Sequence, residues 1–94
     1  MALILSSNVR EKLAGKIPPV SEDEILQCFA NCSGRYLLDK REEHRTDPPT
    51  HWFLSDTDYG RLLKVVFILK DGDVIIKTAY DPNQKEQYIY RRFV

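Results

Sequence analysis

The first third of the chain carries apolar residues at helical spacing. Val9 and Leu13 lie one helical turn apart, and Ser6-Ser7 precedes them with hydroxyl groups that suit a helix N-terminus. Pro18-Pro19 prevents the helix from continuing through that point. The pattern therefore predicts a short first helix that one of the two serines caps and that ends near Ala14.

A second helix is predicted over residues 22–32 by the strongest local signal in the chain. Ser21 and Glu24 have the spacing of a capping box, in which each side chain accepts a hydrogen bond from the other residue's backbone N–H. Ile25 and Phe29 are one turn apart, so the helix would bury one side. Gly34 then marks the end of the helical pattern.

Beyond this point the pattern changes to the apolar runs and alternation of β-strands. Residues 62–69 are almost continuously apolar, which is typical of a central strand covered on both faces. Asp71-Gly72 has the composition of a tight hairpin turn that leads into an antiparallel partner strand. The predicted strands are residues 36–38, 51–54, 62–69 and 74–80, with residues 2–5 as an edge strand or a loosely packed segment.

A third helix is predicted near the end of the chain. Asp81 would cap it, Pro82 would take its first position, and Gln84 would complete a second capping box. Ile89 and Phe93 would then lie along one side. The order helix, helix, three or four antiparallel strands, helix predicts an α+β fold. We expect a single domain over residues 1–94 with its helices packed against one face of the sheet.

Composition restricts the class of protein without identifying it. The longest apolar run is too short to cross a bilayer, and 94 residues suffice for one domain with a modest core. Fourteen Lys and Arg balance fourteen Asp and Glu, so attraction to nucleic acid would need a local basic patch. The first residues lack the basic region of a signal peptide, and we expect a cytoplasmic protein with no membrane partner.

The cysteines and histidines do not have the spacing of a metal site. Cys28 and Cys32 lie one turn apart on the second predicted helix, whereas His44 and His51 match no standard zinc pattern. Cysteines on the inner side of an amphipathic helix are usually small buried residues. We therefore expect neither a metal nor another cofactor.

Basic residues interrupt the apolar strands, where a charge is costly unless it reaches solvent or meets an anion. They are Arg61, Lys64 and Lys77, and Tyr80 ends the last strand beside them. Two interpretations stay open: side chains that extend into solvent, or a phosphate-binding site. Arg61 and Lys64 are three residues apart and project to opposite faces of a regular strand, which favours Arg61 with Lys77. On a regular strand Lys77 would share its face with Ile75.

The chain begins with two predicted helices and a charged segment at residues 39–50. It continues with the motifs GRLLKVVF (residues 60–67) and IIKTAY (residues 75–80), and then with a helix around residues 86–90. In this order and these motifs, nearly the whole chain resembles BrnT, a toxin of bacterial toxin–antitoxin modules in the RelE/ParE-like superfamily. The resemblance implies a toxin that cleaves RNA without metal through polar side chains on an open sheet face, and an antitoxin that covers this face. Such relatives typically have arginine at the position of Tyr80 and are more basic, so a degenerate relative is a variant of this hypothesis.

A metal-independent ribonuclease needs a base for the ribose 2′-hydroxyl, a cation for the phosphate and an acid for the leaving oxygen. His51 or Glu86 would be the base, and Tyr80 or His44 the acid. The phosphate contacts would come from basic residues, namely Lys16, Arg41, Arg61, Lys64 and Lys77.

Two other functions stay open. The first is a non-catalytic module whose sheet face binds a partner protein, which the neutral net charge favours. The second follows from short chains that resemble this one and carry the label ADP-ribosyl-(dinitrogen reductase) hydrolase. ADP-ribosylglycohydrolases are, however, much larger, all-helical and metal-dependent. The partners expected across these hypotheses are RNA, an antitoxin protein and a second copy of the chain.

Overall fold

Within residues 2–39 and 48–93, which a computed structural model describes, the chain forms five strands and three helices. In chain order they are β1 (Leu3–Ile4), α1 (Ser7–Ala14), α2 (Glu22–Asn31), β2 (Leu37–Leu38), β3 (Thr50–Asp56), β4 (Leu62–Lys70), β5 (Asp73–Tyr80) and α3 (Gln84–Phe93). The strands form one sheet in the order β1-β5-β4-β3-β2. The predicted α+β class is confirmed. The sheet has a fifth strand because β1 adds to its edge in parallel with β5.

Both N-terminal helices begin at serines that the sequence indicates. The Ser6 hydroxyl oxygen accepts a hydrogen bond from the Val9 N–H at 3.2 Å. Ser21 Oγ accepts from the Glu24 N–H at 3.2 Å, and Glu24 Oε1 accepts from the Ser21 N–H at 3.0 Å. The capping box is therefore confirmed, and α2 ends at Asn31, one residue before the predicted end.

α2 and α3 lie on opposite faces of the sheet. On the α2 face, the Phe29 ring packs against Phe53 and Phe67, with centroid distances of 4.7 and 5.5 Å. On the α3 face, Tyr90 packs against Trp52 at 5.7 Å. Trp52 and Phe53 are neighbours in β3, and successive strand residues point to opposite faces. The prediction that the helices share one face is therefore wrong, since each helix covers its own side of β3 and β4.

A β-bulge in β5 changes which residues share a face. Ile76 pairs with Phe67 and Thr78 pairs with Val66, so Lys77 has no partner residue in β4. The alternation along β5 shifts by one residue at this point. The prediction that Lys77 shares a face with Ile75 assumed a regular strand, and the bulge interrupts that regular alternation at Lys77.

The hairpin between β4 and β5 turns at the predicted Asp-Gly pair. Asp71 has a φ of 52° and Gly72 a φ of 82°, the left-handed values that a two-residue type I′ turn requires at both positions. The strands on either side pair from Lys70 with Asp73 onwards. This confirms the hairpin and places Lys64 opposite Tyr80 near its open end.

Candidate functional site

A buried lysine lies at the centre of the α3 face. Lys64 is 4% exposed, and its Nζ donates to Glu86 Oε2 at 2.6 Å. The same nitrogen lies 4.5 Å from the centroid of the Trp52 ring, a distance typical of a cation–π contact. A buried ammonium group is costly unless it is paired, and this arrangement supplies the pairing. We call Trp52, Lys64, Tyr80 and Glu86 the Lys64 cluster.

Tyr80 joins the cluster through its hydroxyl group. It donates to Glu86 Oε2 at 2.7 Å, and its ring centroid lies 5.5 Å from Lys64 Nζ. Burial raises the pKa of Tyr80, and the hydrogen bond to Glu86 raises it further because a phenolate could not donate to the carboxylate. Tyr80 therefore stays protonated at neutral pH.

Glu86 is held in place from several directions. Its Oε1 accepts from the Asn83 N–H at 3.0 Å, and the Glu86 N–H donates to Asn83 Oδ1 at 2.8 Å. Burial alone would raise the pKa of Glu86. Hydrogen bonds from Lys64, from the Asn83 N–H and from Tyr80 together lower it below its ordinary value. Glu86 is therefore a charged acceptor whose two oxygens are already occupied.

The same contacts correct the predicted start of the third helix. The reciprocal hydrogen bonds of a capping box join Asn83 and Glu86, whereas the prediction had Asp81 as the cap and Gln84 as its partner. α3 begins at Gln84, so Pro82 precedes the helix. The corrected box places Glu86 in the first turn of α3, where its carboxylate also accepts hydrogen bonds from Lys64 and Tyr80 of the sheet.

Arg61, directly before β4, connects three parts of the chain. Its Nη1 donates to the Pro19 carbonyl at 2.7 Å and to Glu24 Oε2 at 3.2 Å. Its Nη2 donates to the Pro18 carbonyl at 3.0 Å, and its Nε donates to Asp81 Oδ1 at 3.0 Å. All three guanidinium nitrogens are therefore engaged within the protein. Arg61 holds the loop before α2 against the end of β5.

A cleft of about 280 Å³ opens beside Tyr80. We call it the Tyr80 cleft, and it is lined by Lys16, Ile17, Pro18, Arg61, Tyr80 and Asp81. Lys16 Nζ lies 5.5 Å from the centroid of the Tyr80 ring. In the described part of the chain, no carboxylate forms an ion pair with Lys16. Lys16 is therefore the cation of this cleft that an incoming anion can pair with.

The structure brings together most of the residues that the sequence suggests. Those at the Tyr80 cleft or in the Lys64 cluster behind it are Lys16, Arg61, Lys64, Tyr80 and Glu86. Arg61 contacts Glu24 of α2, whereas Lys64 contacts Glu86 of α3, so the two project to opposite faces as predicted.

The other suggested residues lie elsewhere. Lys77 is exposed at the β5 bulge. His51 lies on the α2 face, where its ring stacks on Phe67 at 5.7 Å and its buried Nδ1 has no hydrogen-bond partner among the described residues. His51 is thus separated by the sheet from the Lys64 cluster. Arg41 and His44 lie outside the described residues.

Asp81 and Trp52 are parts of the site that the sequence reading did not assign to it. Asp81 is the carboxylate that lines the Tyr80 cleft, and Arg61 binds its Oδ1. The Asp81–Arg61 contact spans 20 residues of sequence and has no local signal. For Trp52 the sequence contains a weak signal. Trp52 and Phe53 point to opposite faces of one predicted strand, and the next predicted strand carries Lys64.

Neither cysteine lines the Tyr80 cleft or belongs to the Lys64 cluster. Burial raises the pKa of Cys28 to about 12, and its Sγ lies 3.5 Å from the Ser55 carbonyl oxygen. At neutral pH this thiol is therefore not a nucleophile. Among residues 2–39 and 48–93, no group of three His, Cys, Asp or Glu side chains is placed to hold a metal ion.

Comparisons with protein-family models, with curated proteins and with solved structures found no match to this chain. None of the helices within residues 2–39 and 48–93 is long and apolar enough to span a membrane.

Proposed function

We propose that this chain is a BrnT-like, RelE-superfamily protein of a bacterial toxin–antitoxin module that cleaves RNA in the cytoplasm at the Tyr80 cleft, without metal. One observation carries the proposal: side chains suggested for phosphate binding and proton transfer, from three separate segments, converge on one cleft. Lys16, which forms no ion pair with a carboxylate among the described residues, supplies the positive charge that a phosphate group needs.

The cleft offers an acid and a base in positions that neighbouring residues define. Tyr80 is the acid, since its raised pKa keeps the proton that the leaving oxygen requires. Asp81 is the base, with Arg61 fixing its orientation. Glu86, with both oxygens already occupied, positions Tyr80 and does not itself take a proton from substrate.

The proposed reaction is attack of the ribose 2′-oxygen on the adjacent phosphorus. Asp81 takes the 2′-hydroxyl proton, the bond from phosphorus to the 5′-oxygen breaks, and the Tyr80 hydroxyl rotates away from Glu86 to protonate that oxygen. The products are a 2′,3′-cyclic phosphate and a free 5′-hydroxyl. Lys16 stabilises the charge that develops on the phosphate oxygens.

The test is cleavage of a fluorescently labelled RNA in the presence of EDTA. Tyr80→Phe keeps the ring but loses the proton, and we expect the rate to fall about 100-fold, the usual contribution of a general acid. Lys16→Gln should also lose most of the activity. Lys70→Gln is the matched control, since it removes an exposed cation from the distant β4–β5 hairpin. An inert wild-type protein, or a Tyr80→Phe variant as active as wild type, would refute the proposal.

A non-catalytic protein-binding module is the second candidate, and the internal saturation of Arg61 favours it. An arginine whose nitrogens all bind the protein's own carbonyl and carboxylate oxygens has no donor left for substrate without rearrangement. Ile17, at the mouth of the cleft, is 99% exposed and would suit contact with a partner such as an antitoxin. On this hypothesis Ile17→Ser weakens the binding of the partner encoded beside this gene, while Tyr80→Phe changes nothing.

A further inference from the structure

The outer side of α3 is basic and aromatic, in a chain whose net charge is zero. Lys85, Tyr88 and Arg92 recur at three- and four-residue spacing, so they lie along one side of the helix. All three are exposed. We call these three residues the α3 outer face.

The positive charge of the α3 outer face is not neutralised by its own helix. Glu86 is the acidic residue of α3, and it points into the Lys64 cluster with its side chain 15% exposed. Among the described residues, no carboxylate forms an ion pair with Lys85, Arg91 or Arg92. The partner that complements this surface is therefore an anion.

The aromatic groups specify which kind of anion. Tyr88 is 62% exposed and Phe93 is 60% exposed, large values for rings that have an apolar face. Arg92 Nη1 donates to the Tyr88 hydroxyl oxygen at 3.4 Å, and the Arg92 guanidinium lies 6.0 Å from the Phe93 ring centroid. Exposed rings held beside guanidinium groups match the requirements of single-stranded nucleic acid, whose bases stack on rings and whose phosphates bind arginine.

We propose that the α3 outer face binds single-stranded RNA next to the Tyr80 cleft, with little sequence preference. α3 starts four residues after Tyr80, and its ten residues extend about 15 Å at 1.5 Å per residue. The bound strand runs along this length and presents its phosphate backbone to the cleft. The inference extends the RNA-directed function proposed above, but binding at α3 requires no cleavage.

Fluorescence anisotropy with a labelled 2′-O-methyl oligouridine, which has no free 2′-hydroxyl to react, measures binding alone. We expect Arg92→Gln to weaken binding and to reduce the salt dependence, lowering the magnitude of the slope of log K against log salt by about 0.7 for one lost phosphate contact. Lys70→Gln, with the same change in net charge, should leave the slope unchanged.

Tyr88→Ala tests the stacking part of the proposal. We expect the Kd to rise about fivefold or more at an unchanged salt slope, since one base stack is lost but no phosphate contact. Tyr59→Ala is the control, because Tyr59 is 94% exposed in the turn between β3 and β4. Thermal melts of both variants show whether they fold like wild type.

The outcomes separate this inference from the ribonuclease proposal. Binding that depends on Arg92 and Tyr88 without any cleavage of ordinary RNA supports the α3 site and refutes the enzyme. Cleavage that is lost in Lys16→Gln, while the Arg92→Gln and Tyr88→Ala variants bind like wild type, refutes the α3 site alone. Equal binding of polyglutamate and oligouridine would also overturn it, because a polypeptide of carboxylates has no bases to stack.

Discussion

Removing the charge of Glu86 alone should destabilise the protein much more than removing both charges of the Lys64–Glu86 pair. Glu86→Gln keeps the side-chain length and an oxygen for the Asn83 N–H, but it leaves the ammonium of Lys64, 4% exposed, without a counter-ion. Removing one partner of a buried pair typically costs 3–5 kcal/mol. Because the Glu86 side chain is 15% exposed and water can reach the site in part, we expect a loss of about 3 kcal/mol in the free energy of unfolding.

The reciprocal change should cost less. Lys64→Met removes the charge and fills similar volume, while Glu86 retains the hydrogen bonds from Tyr80 and Asn83, so we expect a loss of about 1 kcal/mol. The double variant contains neither unpaired charge and should recover most of the stability lost in Glu86→Gln. With a loss of about 1 kcal/mol in the double variant against about 4 kcal/mol for the sum of the single losses, the expected coupling energy is about 3 kcal/mol, opposite in sign to the losses.

Urea denaturation of the four proteins measures this cycle. The slope of unfolding free energy against urea must be the same in all four for the comparison to hold. A loss below about 1 kcal/mol for Glu86→Gln would refute the reasoning, because it would mean that water already solvates the ammonium group. A double variant no more stable than Glu86→Gln would refute it as well.

Three further predictions follow from single features. Gly72→Ala should lower the free energy of unfolding, measured by urea denaturation, by about 1 kcal/mol or more. An added Cβ meets no atom within 4 Å, so the loss comes from the φ of 82°. An unchanged stability would contradict this prediction. The folded protein lowers the pKa of Glu86, so the stabilisation by this carboxylate is complete above its ordinary pKa of 4.5 and is lost as pH falls through the lower pKa of the folded state. Wild type should therefore lose more stability on acidification below about pH 5 than Glu86→Gln does. Parallel curves of stability against pH for the two proteins would contradict this. Cys28→Ser combined with Cys32→Ser should leave RNA cleavage and its insensitivity to chelators unchanged, and stoichiometric zinc bound through these thiols in the purified protein would contradict it.

The sequence by itself determines the parts of this protein that depend on neighbouring backbone groups. The capping box of α2 joins residues three apart, and the Asp71-Gly72 turn depends on the conformational preferences of two adjacent residues. The apolar run of β4 likewise indicates a central strand, because burial on both faces leaves few positions for polar side chains.

Only the tertiary structure decides how these elements combine. The bulge at Lys77, the parallel pairing of β1 with β5 and the position of α3 opposite α2 depend on contacts between distant segments. The candidate site depends even more on such long-range contacts. Lys64 binds Glu86, which is 22 residues away in the sequence, and Arg61 binds Glu24, which is 37 residues away. Strand alternation in the sequence does separate Arg61 from Lys64, but it cannot show that one reaches the loop before α2 and the other the first turn of α3. Tertiary packing determines these partners, because a buried charge must be paired and the packed helices and strands decide which counter-ion lies close enough to pair with it.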